Sequence, residues 1–356
     1  MKIVQVIPYF CFGGAETMCE NLCYALKKMG QEVVVVSLYA EHTPISDRME
    51  QAGIRIRYLD KKLGLDISMV PKLTKVFREE KPDVVHTHLD VIKYAVAAAK
   101  LAGVKRCVHT VHSVAHKEAE GRAQKIINSV YYKLGWSVPV ALSPEVQETI
   151  VAFYGLNRQN VPVIYNGADL SRCLPKEQYS LSEPIQILHV GRFDVPKNHA
   201  GLLKAFQMLR KKNPACQLHL VGDGELRPQI EQLTRELDLL DSVVFHGMQA
   251  QVQPYLQAAD IFVLPSLYEG IPMTIIEAMG TGLPIVASEV GGIPDLVHNG
   301  ETALLIPCET DAIWKACLTL IEDTALRKKL GTNAKRASEK FSADHMAAEY
   351  CKIYKQ

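Results

Sequence analysis

The sequence predicts an α/β protein of two doubly wound, Rossmann-like domains facing each other across a cleft. Three observations carry this. At 356 residues the chain exceeds what one ordinary hydrophobic core organises and suits two. Short apolar runs alternate with helical stretches in two separate series. Between them lies VPVIYNGADLSRCLPKEQYSLSEP, rich in Pro, Ser, Asn and Gly and without periodicity, which places an interdomain linker at about 167–184.

The first series reads KIVQVIP, the helical AETMCENLCYALKKMG, EVVVVSLY, and later PDVVHTH, KRCVHTVH and VPVALS. These strands are apolar on both faces, as a parallel sheet covered by helices requires. From about residue 185 the pattern repeats in IQILHVGR, CQLHLVG, SVVFHG, DIFVLPS and LPIVASE. Parallel sheets hold ligands at the carboxyl ends of their strands, so binding residues are expected on the loops that follow strands, between the domains. The tail from Asp323 onward is helical by propensity and charge spacing.

Hydrophobic residues at 48% and charged residues at 22% belong to a soluble folded chain and exclude a disordered one. A formal charge of +1 argues against a nucleic-acid partner. Residues 61–133 are locally basic, with 14 Lys or Arg against 7 Asp or Glu, a pattern that solvated helix faces also produce. The nine cysteines include no CxxC pair and read as reduced thiols in a cytoplasmic compartment. Cys19 and Cys23 share a helix face but lack further ligands nearby, so no metal is expected there. MKIVQVIPYF is too short an apolar run for a signal peptide, and no window reaches the roughly 18 apolar residues of a spanning helix.

In the first strand-to-helix loop, PYFCFGGAET, Gly13 and Gly14 let backbone amides approach an anion at a helix start, although a plain tight turn explains them as well. The loop is not GxGxxG and no acid ends VVVVSLY, which disfavours a nicotinamide dinucleotide. HVGRFDVPKNH offers Arg192 and Lys197 on one loop, two cations able to clamp a diphosphate or simply to stay solvated. In EGIPMTIIE, Glu269 sits in the loop after DIFVLPS, beside Gly270, and Glu277 in the helix after Pro272. A loop carboxylate accepts hydrogen bonds from sugar hydroxyls, and one on the helix can take both hydroxyls of a ribose. The free amides of the helix start, between them, suit a phosphate.

The segment PSLYEGIPMTIIEAMGTGLPIVASEVGGIPDLV resembles the donor-binding region of the GT4 family of retaining, nucleotide-sugar-dependent glycosyltransferases with the GT-B fold, including its E-x7-E motif. GGAE in the first loop, TVH at 110–112, ALS at 141–143, NGAD at 166–169 and VGRF…PKN at 190–198 follow in the family's order. The resemblance implies that Arg192 and Lys197 hold the donor diphosphate, that Glu277 holds the ribose, and that Glu269 holds the transferred sugar, with Gly270, Ile271, Pro272 and Met273 beside it. It implies that His112 contacts the donor sugar from the first domain, that Gly13 and Gly14 lie near the phosphates and acceptor, and that Met248 faces the nucleobase. His86, His88 and His109 have no comparable claim, and His112 itself owes its claim to the motif.

The resemblance further implies domains at 1–168 for the acceptor and 169–335 for the nucleotide sugar, with 336–356 as a helix packing back toward the first. It implies catalysis without metal or cofactor, departure of a stabilised diphosphate, and an α-glycosidic bond formed with retention. A UDP-hexose is the expected donor and GDP-mannose the next; the acceptor is a glycan or lipid-linked glycan. RAQKIINSVYYKLGW spaces Ile126, Ile127, Val130, Tyr131 and Leu134 helically, with Arg122, Lys125 and Lys133 nearby and Trp136 at the end. This fits a helix on an anionic membrane at the cytoplasmic face, and equally one whose apolar side faces the core. A nucleotide-sugar epimerase and a non-catalytic nucleotide-sugar-binding scaffold are the alternatives to transfer.

Overall fold

The computed structural model describes residues 1–11, 13–119 and 121–356. Twelve strands form two six-stranded sheets, and every pairing within them is parallel. The first sheet comprises β1 (Lys2–Ile7), β2 (Glu32–Ser37), β3 (Arg55–Tyr58), β4 (Val84–His88), β5 (Arg106–Val111) and β6 (Val138–Ala141), in the order β3-β2-β1-β4-β5-β6. The second comprises β7 (Ile185–Val190), β8 (Cys216–Val221), β9 (Val243–Gly247), β10 (Ile261–Leu264), β11 (Ile285–Ser288) and β12 (Leu304–Ile306), in the order β12-β11-β10-β7-β8-β9.

Both orders are the doubly wound arrangement. The strand order reverses between β1 and β4 in one sheet and between β7 and β10 in the other, opening a crevice at the carboxyl ends of those strands. The inner strands are buried along nearly their whole length, Val34 to Ser37 and Ile261 to Leu264 for example, which is why they read as unbroken apolar runs. Two edge strands escape a sequence reading. β3 (RIRY) buries only Ile56, between two arginines, and β12 has three residues.

The chain divides into two compact units, one of residues 1–167 with 343–356 and one of 168–342. The expected boundary at 335 falls inside the helix Thr324–Ser338, which stays with the second unit; the helix that joins the first unit is Ala343–Lys355. That helix packs on the helix Gly14–Lys28 and inserts Tyr350 and Tyr354 beneath β4 and β5. The stretch expected as a linker lies packed on the second unit. Lys176 donates to Ala259 O (2.6 Å), Tyr179 to Gly282 O (3.0 Å), and the buried Arg327 guanidinium holds Tyr179 O (2.9 Å). Missing periodicity there marks irregular backbone, not loose backbone.

The helix Gly121–Lys133 is also corrected in part. Its buried side is Asn128 and Tyr132, whereas Ile126, at 63% exposure, lies outward with Val130 and Leu134. The stripe is therefore split: Ile127 and Tyr131 are half-buried, Tyr131 against the core, and Ile126, Val130 and Leu134 face outward. Leu63 (91% exposed), Leu65 and Ile67 form a second exposed apolar group that the sequence reading passed over. Tyr131 donates to Lys93 O (3.4 Å) and Asp66 N to the Tyr94 hydroxyl (3.1 Å), so both groups flank the start of the helix Ile92–Leu101. Among the described residues no helix is long and apolar enough to cross a membrane.

Candidate active site

In the second unit the loops after β7 and β10 are stitched together at the switch point. Asn198, at φ +55°, caps the helix His199–Lys212 by accepting from Gly201 N, while its amide nitrogen donates to Pro265 O (3.1 Å). Leu267 N donates to Pro196 O (2.8 Å). These bonds deliver Lys197, from the first loop, to Glu269, from the second. Lys197 Nζ lies 2.5 Å from Glu269 Oε1, and Ser266 Oγ donates to the same oxygen at 2.7 Å.

A third loop holds the backbone of Glu269 and Gly270 from behind. Gly292 N donates to Gly270 O (3.1 Å), and a Cβ on Gly291, which is at φ +51°, would lie 1.9 Å from Glu269 O. Only glycine leaves room for that approach. Glu277 lies just over one turn into the buried helix Met273–Thr281, where Gln253 Nε2 donates to its Oε1 (3.1 Å). The amides of Met273 and Thr274 open that helix directly after Gly270, Ile271 and Pro272, while Ile275 N already donates to Pro272 O (3.2 Å).

Arg192 is exposed on the loop after β7 and has no ion-pair partner among the described residues. Its charge is available to a ligand, whereas that of Lys197 is engaged. Met248 follows β9, two strands from β7 and so about 10 Å across the sheet, and is half exposed. Lys197, Glu269 and Ser266 thus form one hydrogen-bonded cluster; Glu277, Arg192 and Met248 stand apart from it.

The first unit holds Gly13, Gly14 and His112 at the carboxyl ends of its strands. Gly13 is the N-cap of the helix Gly14–Lys28, and a Cβ on it would lie 2.4 Å from the buried Glu16 Oε2. Glu16, third in that helix, accepts from Cys11 Sγ (2.9 Å). Burial raises the Glu16 pKa, and burial with the neighbouring Glu16 pushes the Cys11 thiol up to about 12. GGAE contains Glu16, but no spacing marks Cys11 as its partner.

His112 follows β5. Glu118 Oε2 accepts from its backbone N (2.6 Å) and from Ser113 N (3.2 Å), while Glu118 Oε1 meets His109 Nε2 (2.9 Å). His112 Nε2 lies 3.0 Å from His88 Nδ1, and His88 Nε2 lies 2.8 Å from Gln5 Oε1. Burial holds the His112 pKa down at about 4, against the opposing charge of Glu118. Beneath, His86 bridges Tyr354 (2.7 Å) and Thr110 (2.8 Å). Side chains from β1, β4, β5 and the helix Ala343–Lys355 build this network, so no local motif announces it.

Two glycosyltransferase families together account for most of the chain. The description "Glycosyl transferases group 1" matches residues 174–337 and "Glycosyltransferase Family 4" matches residues 12–172. The chain is 30% identical over 309 residues to the UDP-Gal:alpha-D-GlcNAc-diphosphoundecaprenol alpha-1,3-galactosyltransferase of Escherichia coli, covering 80% of this chain and 79% of the relative. It is 28% identical over 305 residues to the N-acetyl-alpha-D-glucosaminyl L-malate synthase of Bacillus anthracis, covering 81% and 78%. Its fold is similar to that of HepE from Anabaena, crystallised with UDP, at a TM-score of 0.85 and 22% identity over the whole of both chains. The chain belongs to the GT4-type glycosyltransferases, with the GT-B fold.

Proposed function

We propose that the protein is a retaining hexosyltransferase that moves a sugar from a nucleotide sugar to a hydroxyl of a glycan or lipid-linked glycan, forming an α bond. The observation that carries this is the Lys197–Glu269–Ser266 cluster at the switch point of the second sheet. It sets a cation and a hydroxyl-accepting carboxylate at one crevice, with Glu277 on the adjoining helix. A UDP donor is favoured over GDP, because the Escherichia coli relative is named for UDP-Gal and HepE was crystallised with UDP.

In the proposed reaction Arg192 and Lys197 take the negative charge that gathers on the diphosphate as the sugar leaves, and the first amides of the helix at Met273 supply a partial positive charge to the same oxygens. Glu269 accepts from sugar hydroxyls, Glu277 takes the ribose, the backbone at Met248 faces the base, and His112 meets the donor sugar. Gly13 and Gly14 leave the acceptor loop open to close approach. The acceptor hydroxyl enters on the face the diphosphate leaves: its oxygen bonds the anomeric carbon as the bond to the phosphate oxygen breaks, and its proton passes to that departing oxygen. No metal or prosthetic group is needed, since the two side-chain cations provide the charge.

The test is binding and slow hydrolysis over a panel of UDP, GDP and ADP sugars. One donor is expected to bind selectively and release an α-configured sugar. Glu277→Ala should weaken its binding on the order of tenfold, the equivalent of one hydrogen bond to a charged group. Binding of no donor would refute the transferase reading. Conversion of the donor to its epimer without an acceptor would replace it with an isomerase.

We infer in addition that the acceptor is reached at an anionic membrane surface. The first unit exposes Ile126, Val130 and Leu134, with Arg122, Lys125 and Lys133 on or beside the same helix, and also Leu63, Leu65 and Ile67. Such a surface pairs apolar burial with charge attraction. Co-sedimentation with anionic phospholipid vesicles at low salt should be strong, and weak for a variant with Ile126→Ser and Leu65→Ser. Equal recovery with neutral and anionic vesicles would overturn it.

A further inference from the structure

We propose that Gln5 and His88 are positioning residues that hold His112 with its Nε2 protonated and its Nδ1 turned into the site as a bare hydrogen-bond acceptor. The argument is a donor count along one buried chain. With the Gln5 amide placed so that Oε1 faces His88 Nε2 at 2.8 Å, Gln5 can only accept there, and that nitrogen then carries the proton. A neutral imidazole then has its lone pair at Nδ1. His88 Nδ1 faces His112 Nε2 at 3.0 Å, so the hydrogen in that bond belongs to His112. His112 Nδ1 is left without a partner among the described residues, on a ring that keeps part of its surface open.

Both rings are neutral at ordinary pH, because burial depresses each of them. Gln5 and His88 are fully buried, Gln5 on β1 and His88 at the end of β4, the two strands that border the switch point of the first sheet. The ring of His112 is thus steered by strands other than its own, while Glu118 fixes its backbone. The consequence for a sugar is specific. A bare Nδ1 accepts a hydrogen bond from a hydroxyl; the opposite tautomer would offer a donor and select an oxygen that accepts.

This rests on the reading that His112 meets the donor sugar, and the experiment separates the two. Imidazole 15N shifts of the histidine-labelled protein, assigned with single substitutions, should show His88 and His112 both protonated at Nε2. Gln5→Leu removes the acceptor and should give His112 a mixture of tautomers, with kcat/KM for donor hydrolysis reduced roughly five- to tenfold, as the loss of one oriented hydrogen bond implies. A His112 protonated at Nδ1 in the wild type overturns the proposal without any variant. So does a Gln5→Leu enzyme of wild-type kcat/KM when His112→Ala is impaired. If His112→Ala hydrolyses donor normally, the donor-contact reading falls and the catalytic consequence of the tautomer falls with it.

Discussion

Lys197→Ala is expected to lower donor turnover roughly 10²- to 10³-fold, the range found when one preorganised charge partner is removed from a desolvated site. Two losses combine. The diphosphate loses a cation, and Glu269 loses the ammonium at 2.5 Å, leaving a largely buried carboxylate with Ser266 as its remaining side-chain partner. Because the same contact is broken from either side, Lys197→Ala and Glu269→Gln act on one unit. Their double variant should lose far less than the product of the single losses. Steady-state hydrolysis of the preferred donor by the three variants measures this; Lys197→Ala within threefold of wild type would sink the assignment.

Acid should unfold the protein earlier than its carboxylates alone would explain. His86, His88, His112, His189 and His199 all have pKa values lowered by burial, to about 4 for His112 and His189 and about 2 for His199. The unfolded chain binds protons at these positions below about pH 6.5, whereas the folded chain resists them until lower pH. Their contribution to stability is therefore complete above pH 6.5 and is lost as pH falls toward 4. Each group that stays neutral in the fold subtracts up to about 1.4 kcal/mol per pH unit in that window.

Urea midpoints at pH 7, 6 and 5 should fall steadily, and His199→Phe should flatten the fall. That ring stacks on Phe193 at 4.1 Å between centroids, and neither nitrogen has a hydrogen-bond partner among the described residues. Midpoints that do not move between pH 7 and 5 would contradict the buried neutral state.

The sequence exposed the sheets well because their inner strands are buried on both faces, and apolar runs with turn residues between them have few other readings. It exposed β3 and β12 poorly because an edge strand such as RIRY needs only one buried side chain to hold its place. At the site, Arg192, Lys197, Glu269 and Glu277 were legible as residues on loops and a helix start after strands. Their pairing was not. That Glu269 meets Lys197 and Ser266 depends on backbone bonds from Asn198 to Pro265 and from Leu267 to Pro196, which no spacing encodes. The histidines of β4 and β5 looked alike in HTH and HTVH. Only the side chains around them, Gln5, Glu118, Thr110 and the two tyrosines of the last helix, give each a different partner.

The return of the helix Ala343–Lys355 to the first unit also fixes an order of events during synthesis. His86 and Thr110 find their tyrosine partners only after residues 168–342 have been made, so the polar interior beneath β4 and β5 stays open in the nascent chain. At roughly 5–20 residues per second that delay is on the order of 10 to 40 s. The second unit, continuous in sequence, can close first, and the last helix of the chain then completes the unit that began it.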